Sequence, residues 1–281
     1  MKRQFLFLLL LVIALLTTQC RKDIETQEDN KFATGFLPAG DLSKIPSAPL
    51  PTTRDSSAAI IDLSTDMPPV CNQGKQASCA GCAVGYALMS YREKIQKKHA
   101  YLLPNGSADL TKLMSPAFIF NQVKVGSCNN SGSYLWESLK LIKDQGVCSL
   151  ADMPYDPEDC TRIPNTRQHE SAMQHRISSY GKIDFNDIGL CKRYLAGGTP
   201  IVIGIQVDTW FMSAKGGFIW NTVSQPAGSL SGHALLVVGY DNSKNAFKII
   251  NSWGKEWGLN GYGWIDYGLF KRQTMEAYVA F

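Results

Sequence analysis

An α+β fold built from a helical half followed by a β half, with a cleft between them, is predicted by three observations. The run from Ala80 to His99 carries Cys82, Ala83, Tyr86, Ala87 and Met89 near the helical period. Tyr134–Asp144 repeats that pattern, with Leu135, Leu139 and Ile142 on one face. From Pro200 onward the apolar residues cluster instead in β-branched and aromatic runs split by turn residues. One change of character along the chain segregates helices from strands, which argues for two packed layers rather than alternating βα units.

The elements follow in order. Phe5 to Leu16 is an apolar run of twelve behind Lys2-Arg3, which reads as an export signal over residues 1–19. Twelve residues make about 18 Å of helix, too short to span a bilayer. The run ends on Leu16-Thr17-Thr18-Gln19-Cys20, which resembles a bacterial lipoprotein box. Cys20 is therefore expected as a lipidated mature N-terminus, although Gln19 replaces the usual small residue. A cleaved secretory peptide with an incidental Cys is the alternative. Cys20-Arg21-Lys22-Asp23-Ile24-Glu25 looks like the tract that directs some lipoproteins of the Bacteroidetes type to the cell surface. The expected location is thus the outer membrane or cell surface of a bacterium. Residues 20–58 are polar and hold Pro38, Pro46, Pro49 and Pro51, so they read as a tether. Residues 59–281 form the folded domain, entered through Ile60-Ile61-Asp62-Leu63.

Within that domain, Ser78 is a fair N-cap for the first long helix. Ser115 to Val125 is a mixed apolar segment, Gly126 to Ser133 a Gly/Ser/Asn loop, and residues 148–180 are polar and irregular. Asn186 and Asp187 cap a short helix that Gly197-Gly198 ends. Strands are predicted over 201–207, 233–240, 247–251 and 261–266, with Asp241 to Asn245 as a hairpin-type turn.

Composition excludes several functions. Of 281 residues 44% are hydrophobic, enough for a full core. Removing Lys2 and Arg3 with the leader leaves 26 basic against 24 acidic residues, a net of +2 with no basic stripe, so nucleic acid is not an expected partner. Eight Cys in an exported chain imply disulfides. The spacing does not choose among pairings. The reading adopted is Cys148–Cys160, which flank a Pro-rich loop and whose closure contributes about 3 kcal/mol in the chain-entropy model. Cys82 is read as a free apolar filler. Cys79 and Cys82 form a single Cys-x-x-Cys pair without a second at zinc spacing, so neither a metal nor a cofactor is expected.

The chemistry concentrates on a few positions. Cys79 falls in the first turn of its helix, where the positive end of the dipole favours thiolate. Gln73 lies six residues upstream on a loop and can bring an amide donor beside the sulfur. Acyl transfer needs such a nucleophile and oxyanion donor together. His233 heads one apolar strand and Asn251 follows the next, so antiparallel pairing can hold them side by side. There the imidazole can move a proton while the amide oxygen fixes its tautomer, with the Trp253 indole as a roof.

These residues stand in motifs that resemble the papain family of cysteine peptidases, over roughly Ile60 to the C-terminus. Gln73-Gly74, Ser78-Cys79, Gly232-His233-Ala234, Asn251-Ser252-Trp253-Gly254, Trp257-Gly258 and Gly261-Tyr262 follow that family's order. Ser115-Pro116-Ala117-Phe118-Ile119-Phe120-Asn121 and Met153-Pro154-Tyr155 look like its bacterial branch. The resemblance implies a papain-like fold with a helical and a β-barrel-like lobe, and an endopeptidase working through an acyl-enzyme. It implies Cys79 as nucleophile, His233 as its ion-pair partner, Asn251 as orienter, and Gln73 with the Cys79 N–H as oxyanion hole. Gly132, Tyr134, Ala234 and Trp253 would line the substrate groove, with Tyr134 and Ala234 in a neutral, partly apolar pocket. The implied partners are a peptide or protein substrate and, through Cys20, a membrane; a monomer is expected.

The chain departs from the family's pattern at four places. Ala80 stands where Trp is common, and Gln76 where a Cys would bond the loop at Cys128. Cys128-Asn129-Asn130-Ser131-Gly132 matches the groove-lining motif only loosely. Residues 21–58 are far shorter than the usual inhibitory pro-domain, which argues against zymogen control. Two other readings compete: an exopeptidase, which would need a loop blocking one end of the cleft, and a catalytically silent surface lipoprotein that binds peptides.

Overall fold

The helix that starts at Cys79 and Ala80 is the axis of the computed structural model, which describes residues 32–52, 57–128 and 131–281. It continues as a π-helical stretch over Gly81–Leu88 and finishes as an α-helix over Met89–Lys97. Every residue of Gly81–Leu88 is buried, so this stretch is covered all round rather than on one face. Gly81 and Gly85 explain how neighbours come so close. A Cβ at Gly81 would meet the Pro116 carbonyl at 2.8 Å, and one at Gly85 would meet Ile119 at 2.6 Å. The polar C-terminal stretch ends at Lys98 in the left-handed region, φ 50°.

Helix Pro116–Val123 packs on this axis, with Ser115 accepting from the Phe118 N–H at its N-terminus and Pro116 in the first turn. Helix Leu135–Asp144 lies where its apolar period placed it. Helix Ile188–Ala196 is capped by Asp187, whose side chain accepts from the Leu190 N–H, and ends at Gly197. Three helices escaped the sequence pattern, the shortest being Thr209–Ser213, where the Asp208 carboxylate accepts from the Phe211 N–H. Thr166–Ala172, inside the polar stretch, is held by a capping box between Asn165 and Gln168. Tyr267–Gln273 starts on the Asp266 carboxylate.

Ten strands occur among the described residues: β1 (Ile60–Asp62), β2 (Val125–Gly126), β3 (Ser131–Gly132), β4 (Tyr180–Lys182), β5 (Ile201–Val207), β6 (Ile219–Trp220), β7 (Ser231–Asp241), β8 (Ala246–Ile250), β9 (Tyr262–Asp266) and β10 (Thr274–Ala280). The main sheet runs β4-β10-β5-β7-β8-β9-β6, with β1 also on β7, and is antiparallel except for β6 on β9. β10 was not legible in advance, because Glu276 interrupts its apolar run. That carboxylate is buried and accepts from the Ala39 N–H and the Tyr278 hydroxyl.

The period of two along β5 and β7 separates two cores. Val202, Ala234, Leu236 and Val238 face the central helix with Val84, Leu88, Phe118 and Ile142. Ile201, Ile203, Ile205, Leu235 and Val237 face a second core with Phe211, Trp257 and Phe270. Truncating side chains buried this deeply costs about 2–5 kcal/mol each, so both cores hold the sheet in place.

Two sequence expectations are corrected. Residues 32–52, assigned to a polar tether, pack on the domain. Phe36 is 3% and Ile45 7% exposed, and Phe32–Phe281 is one contact unit. Backbone pairing holds the segment: Lys182 N–H donates to Pro46, Ala48 N–H to Lys182, and the Lys182 ammonium to the Leu42 carbonyl. The disulfide joins Cys128 to Cys160, not Cys148 to Cys160. Cys148 is a buried free thiol within the first core. Ser78 places its hydroxyl 2.6 Å from that of Tyr155. The expected leader, its lipid-bearing Cys20 and Asn129-Asn130 of the loop motif lie outside the described residues.

Candidate active site

The site assembles at the seam between the two cores: Cys79 belongs to the first and Trp253 to the second. The loop before the central helix is pinned to the stretch after β8. Gln73 N–H donates to the Ser252 carbonyl at 2.8 Å, Gly254 N–H to the Cys71 carbonyl at 2.9 Å, and Asn72 bridges to Trp253. Gln73 is fully buried. The Ser252 hydroxyl donates to Gln73 Oε1, which turns Nε2 the other way. Nε2 donates to the carbonyls of Gln76 at 2.9 Å and Ala33 at 3.2 Å.

His233 lies on β7 opposite Ile205 of β5, and Asn251 directly follows β8. Their side chains meet, with His233 Nε2 and Asn251 Oδ1 2.8 Å apart. The Ser252 N–H donates to that same oxygen at 2.7 Å. A backbone N–H can only donate, so this atom is the amide oxygen and Nε2 carries the imidazole proton. Nδ1 is then the basic nitrogen of the neutral ring, and it is buried without a hydrogen-bond partner among the described residues. Trp253 stacks on the ring, centroids 4.3 Å apart at 21°.

Four backbone amides surround the Cys79 sulfur, those of Ala234, Ala80, Cys79 itself and Gly35. They favour thiolate, but burial outweighs them and pushes the thiol up to about 12. Burial likewise holds His233 down at about 4, against a smaller opposing effect of Asn251. Burial thus opposes charge on both members of the pair while they are covered. The chain itself supplies the burial.

Residues 32–37 lie across the site. Phe32 stacks on Trp253 at 5.1 Å, and the Ala33 carbonyl accepts from Trp253 Nε1 at 2.8 Å as well as from Gln73. Gly35 and Phe36 N–H groups donate to the Gly232 carbonyl, both at 3.1 Å. Ser133 N–H donates to the Gly35 carbonyl at 2.8 Å and Leu37 N–H to the Ser133 carbonyl at 3.1 Å, so Phe36 runs parallel to Ser133. Gly35 has no room for a side chain, since a Cβ would stand 2.1 Å from the Ala77 carbonyl oxygen.

Of the residues assigned to the groove, Gly132 faces this segment, for a Cβ there would meet the Gly35 carbonyl at 2.6 Å. Ala234 is buried beside Cys79, and Trp253 carries Phe32. Tyr134 is half-buried beside Trp136 at the start of helix Leu135–Asp144. Sequence reasoning missed Ser133, Ser252 and the pocket floor at Gly204, where a Cβ would lie 2.2 Å from the Phe36 ring. An isolated Gly inside the Ile201–Val207 run was the available signal for that close approach.

Comparisons with known proteins give the family and the fold. The family described as papain family cysteine protease matches residues 58–280. A peptidase C1-like protein of Acanthamoeba polyphaga mimivirus is 29% identical over 68% of this chain and 62% of its own length. Gamete and mating-type specific protein A of Dictyostelium discoideum is 31% identical over 73% of this chain and 42% of its own. The chain thus spans less than two thirds of the length of these relatives. Among solved structures, xylellain, a cysteine protease from Xylella fastidiosa, superposes with a TM-score of 0.71 at 25% identity, covering 89% of this chain and 96% of that one. Bromelain from Ananas comosus shares the fold at a TM-score of 0.61 and 19% identity, over 79% of this chain and 98% of its own.

Proposed function

Because the chain belongs to the papain family of cysteine proteases, we propose that it is an endopeptidase working through Cys79, His233 and Asn251. Cys79 Sγ attacks the carbonyl carbon of the scissile peptide while its proton passes to His233 Nδ1. Gln73 Nε2 and the Cys79 N–H hold the oxyanion. The imidazolium then protonates the leaving amine, and an acyl-enzyme remains. Water, deprotonated by Nδ1, releases the acid and restores the thiol. Asn251 keeps the Nε2–H directed away from the sulfur throughout.

The observation that carries this reading is the occupant of the site. An extended peptide, residues 33–37, lies beside Cys79 with a carbonyl on Gln73 Nε2. It passes across the site from Trp253 to Ser133 as an internal stretch of chain, which favours cleavage within chains over an exopeptidase. The same segment argues for self-inhibition. A polar arm too short for a pro-domain still covers the nucleophile, because only about six extended residues are needed to cross it. The pocket over Gly204 and Gly232 takes the Phe36 ring, so a bulky apolar side chain is the proposed substrate preference there.

A thiol-directed peptidyl epoxide separates catalysis from silent binding. We expect one adduct, mapped by mass spectrometry to Cys79, and none on Cys79→Ala; an adduct only on Cys71 or Cys82 would reject this nucleophile. Membership of a bacterial branch and anchorage of the exported protein at the cell surface through a lipid on Cys20 belong to the same proposal. They rest on Ser115–Asn121 and on the apolar run ending at Cys20. Mass spectrometry of the N-terminal peptide from membranes should find Cys20 acylated; an unmodified terminus elsewhere removes the anchor.

A further inference from the structure

Two cysteines that the mechanism does not use meet just behind it. Cys82 is on the central helix three residues past the nucleophile, buried, and Cys71 is on the loop two residues before Gln73, half-buried. Their sulfurs lie 2.8 Å apart, although both are free thiols. Two thiols in such contact need only a small shift to reach bonding distance, and the structure holds a disulfide elsewhere, at Cys128–Cys160. The pair is also reachable. A cavity of about 320 Å³ lies against Cys71, lined by Asn72, Tyr86, Pro154 and Tyr155 among others. On its inner side the pair borders Ala234, Asn251 and Ser252.

From this placement we propose that Cys71 and Cys82 are a redox pair, oxidised to a disulfide by exchange with a low-molecular-weight disulfide entering through the cavity. Cys71, as thiolate, attacks one sulfur of the reagent; a mixed disulfide forms and one reagent thiolate leaves. Cys82, as thiolate, then attacks the Cys71 sulfur and expels the second. The two protons lost by the cysteines go to the two released thiolates, so the reagent gains two electrons and the pair loses two. Burial raises the Cys82 thiol well above its ordinary value, with adjacent Cys71 adding to the effect, so Cys71 reacts first.

The bond would join three parts of the site. Cys71 is tied through its carbonyl to Gly254, and Gln73 to Ser252, while Cys82 shares a helix with the nucleophile. A cross-link between them locks the loop carrying the amide donor to the helix carrying the sulfur. This inference does not depend on peptide hydrolysis, and its test reads bonding and stability only.

The test treats the reduced full chain with oxidised glutathione, followed by non-reducing peptide mapping and thermal unfolding. The expected result is a Cys71–Cys82 linked peptide, lighter than the dithiol by about 2 Da, and a Tm higher by roughly 5–10 °C. Cys71→Ser and Cys82→Ser should each lose both the link and the shift. Cys71→Ser sits at a half-buried loop position and keeps the test valid if Cys82→Ser fails to fold. Glutathione remaining on Cys71 without the internal link, a Cys79–Cys82 link instead, or an unchanged Tm would each overturn the proposal.

Discussion

Cys79→Ala and His233→Ala should each reduce turnover on a peptide substrate to near background, a loss on the order of 10⁴–10⁶, and the double variant should be little worse. The reason is that sulfur and imidazole act as one unit. Without Nδ1 nothing takes the thiol proton, and without the thiol the base has nothing to activate. Gln73→Ala leaves that unit intact and deletes one of two oxyanion donors, so its cost should be about 10²–10³, or roughly 3–4 kcal/mol. Asn251→Ala should cost less than either member of the pair, because Trp253 still stacks on the ring. Steady-state kinetics with circular dichroism on each variant checks the hierarchy. A folded Cys79→Ala protein that cleaves at the wild-type rate would end the mechanism.

Gly35→Ala should have the opposite sign and raise activity roughly 10- to 100-fold, because the closed fraction limits the wild type. The added methyl would stand 2.1 Å from the Ala77 carbonyl oxygen, and that oxygen belongs to backbone fixed at the head of the central helix. The segment must lift, uncovering Cys79 and His233. A synthetic peptide of residues 32–40 added in trans should reverse the gain; no gain in a folded Gly35→Ala protein would refute self-inhibition. The same contact makes closure sensitive to acid. His233 is held at about 4 under cover, against 6.5 when free, so the uncovered state binds the extra proton. Closure is therefore fully stable above about 6.5 and loses roughly 3 kcal/mol as pH falls from there to about 4. Limited proteolysis within residues 32–37 should therefore become faster across that window in the wild type and stay fast throughout in Gly35→Ala, whereas catalysis should not follow it, because a protonated Nδ1 cannot take the thiol proton.

The periodic elements were legible because each is decided by its own residues. The alternation of Ile201–Val207, the apolar face of Leu135–Asp144 and the Asp187 cap of Ile188–Ala196 are local signals, and they fall where they were read. The motifs around Cys79, His233 and Asn251 pointed to the candidate site for the same reason. They are short, and two of the three sit on elements whose pairing follows from adjacent strands. What only the tertiary structure decided involves partners far apart in the chain. Glu276 hid β10 until the Ala39 N–H and Tyr278 hydroxyl were seen to satisfy it. Cys160 bonds Cys128, 32 residues away, because folding and not spacing brings the Cα atoms to 5.5 Å. Phe36 reads as one apolar residue in a polar arm. Its burial is set by Gly204 and Gly232, two glycines more than 160 positions later whose missing side chains leave it a pocket. Burial of the pair was decided the same way: the helix dipole and nearby amides favour thiolate, but residues 32–37, more than 40 positions before Cys79, help to cover the sulfur, and burial opposes the charge.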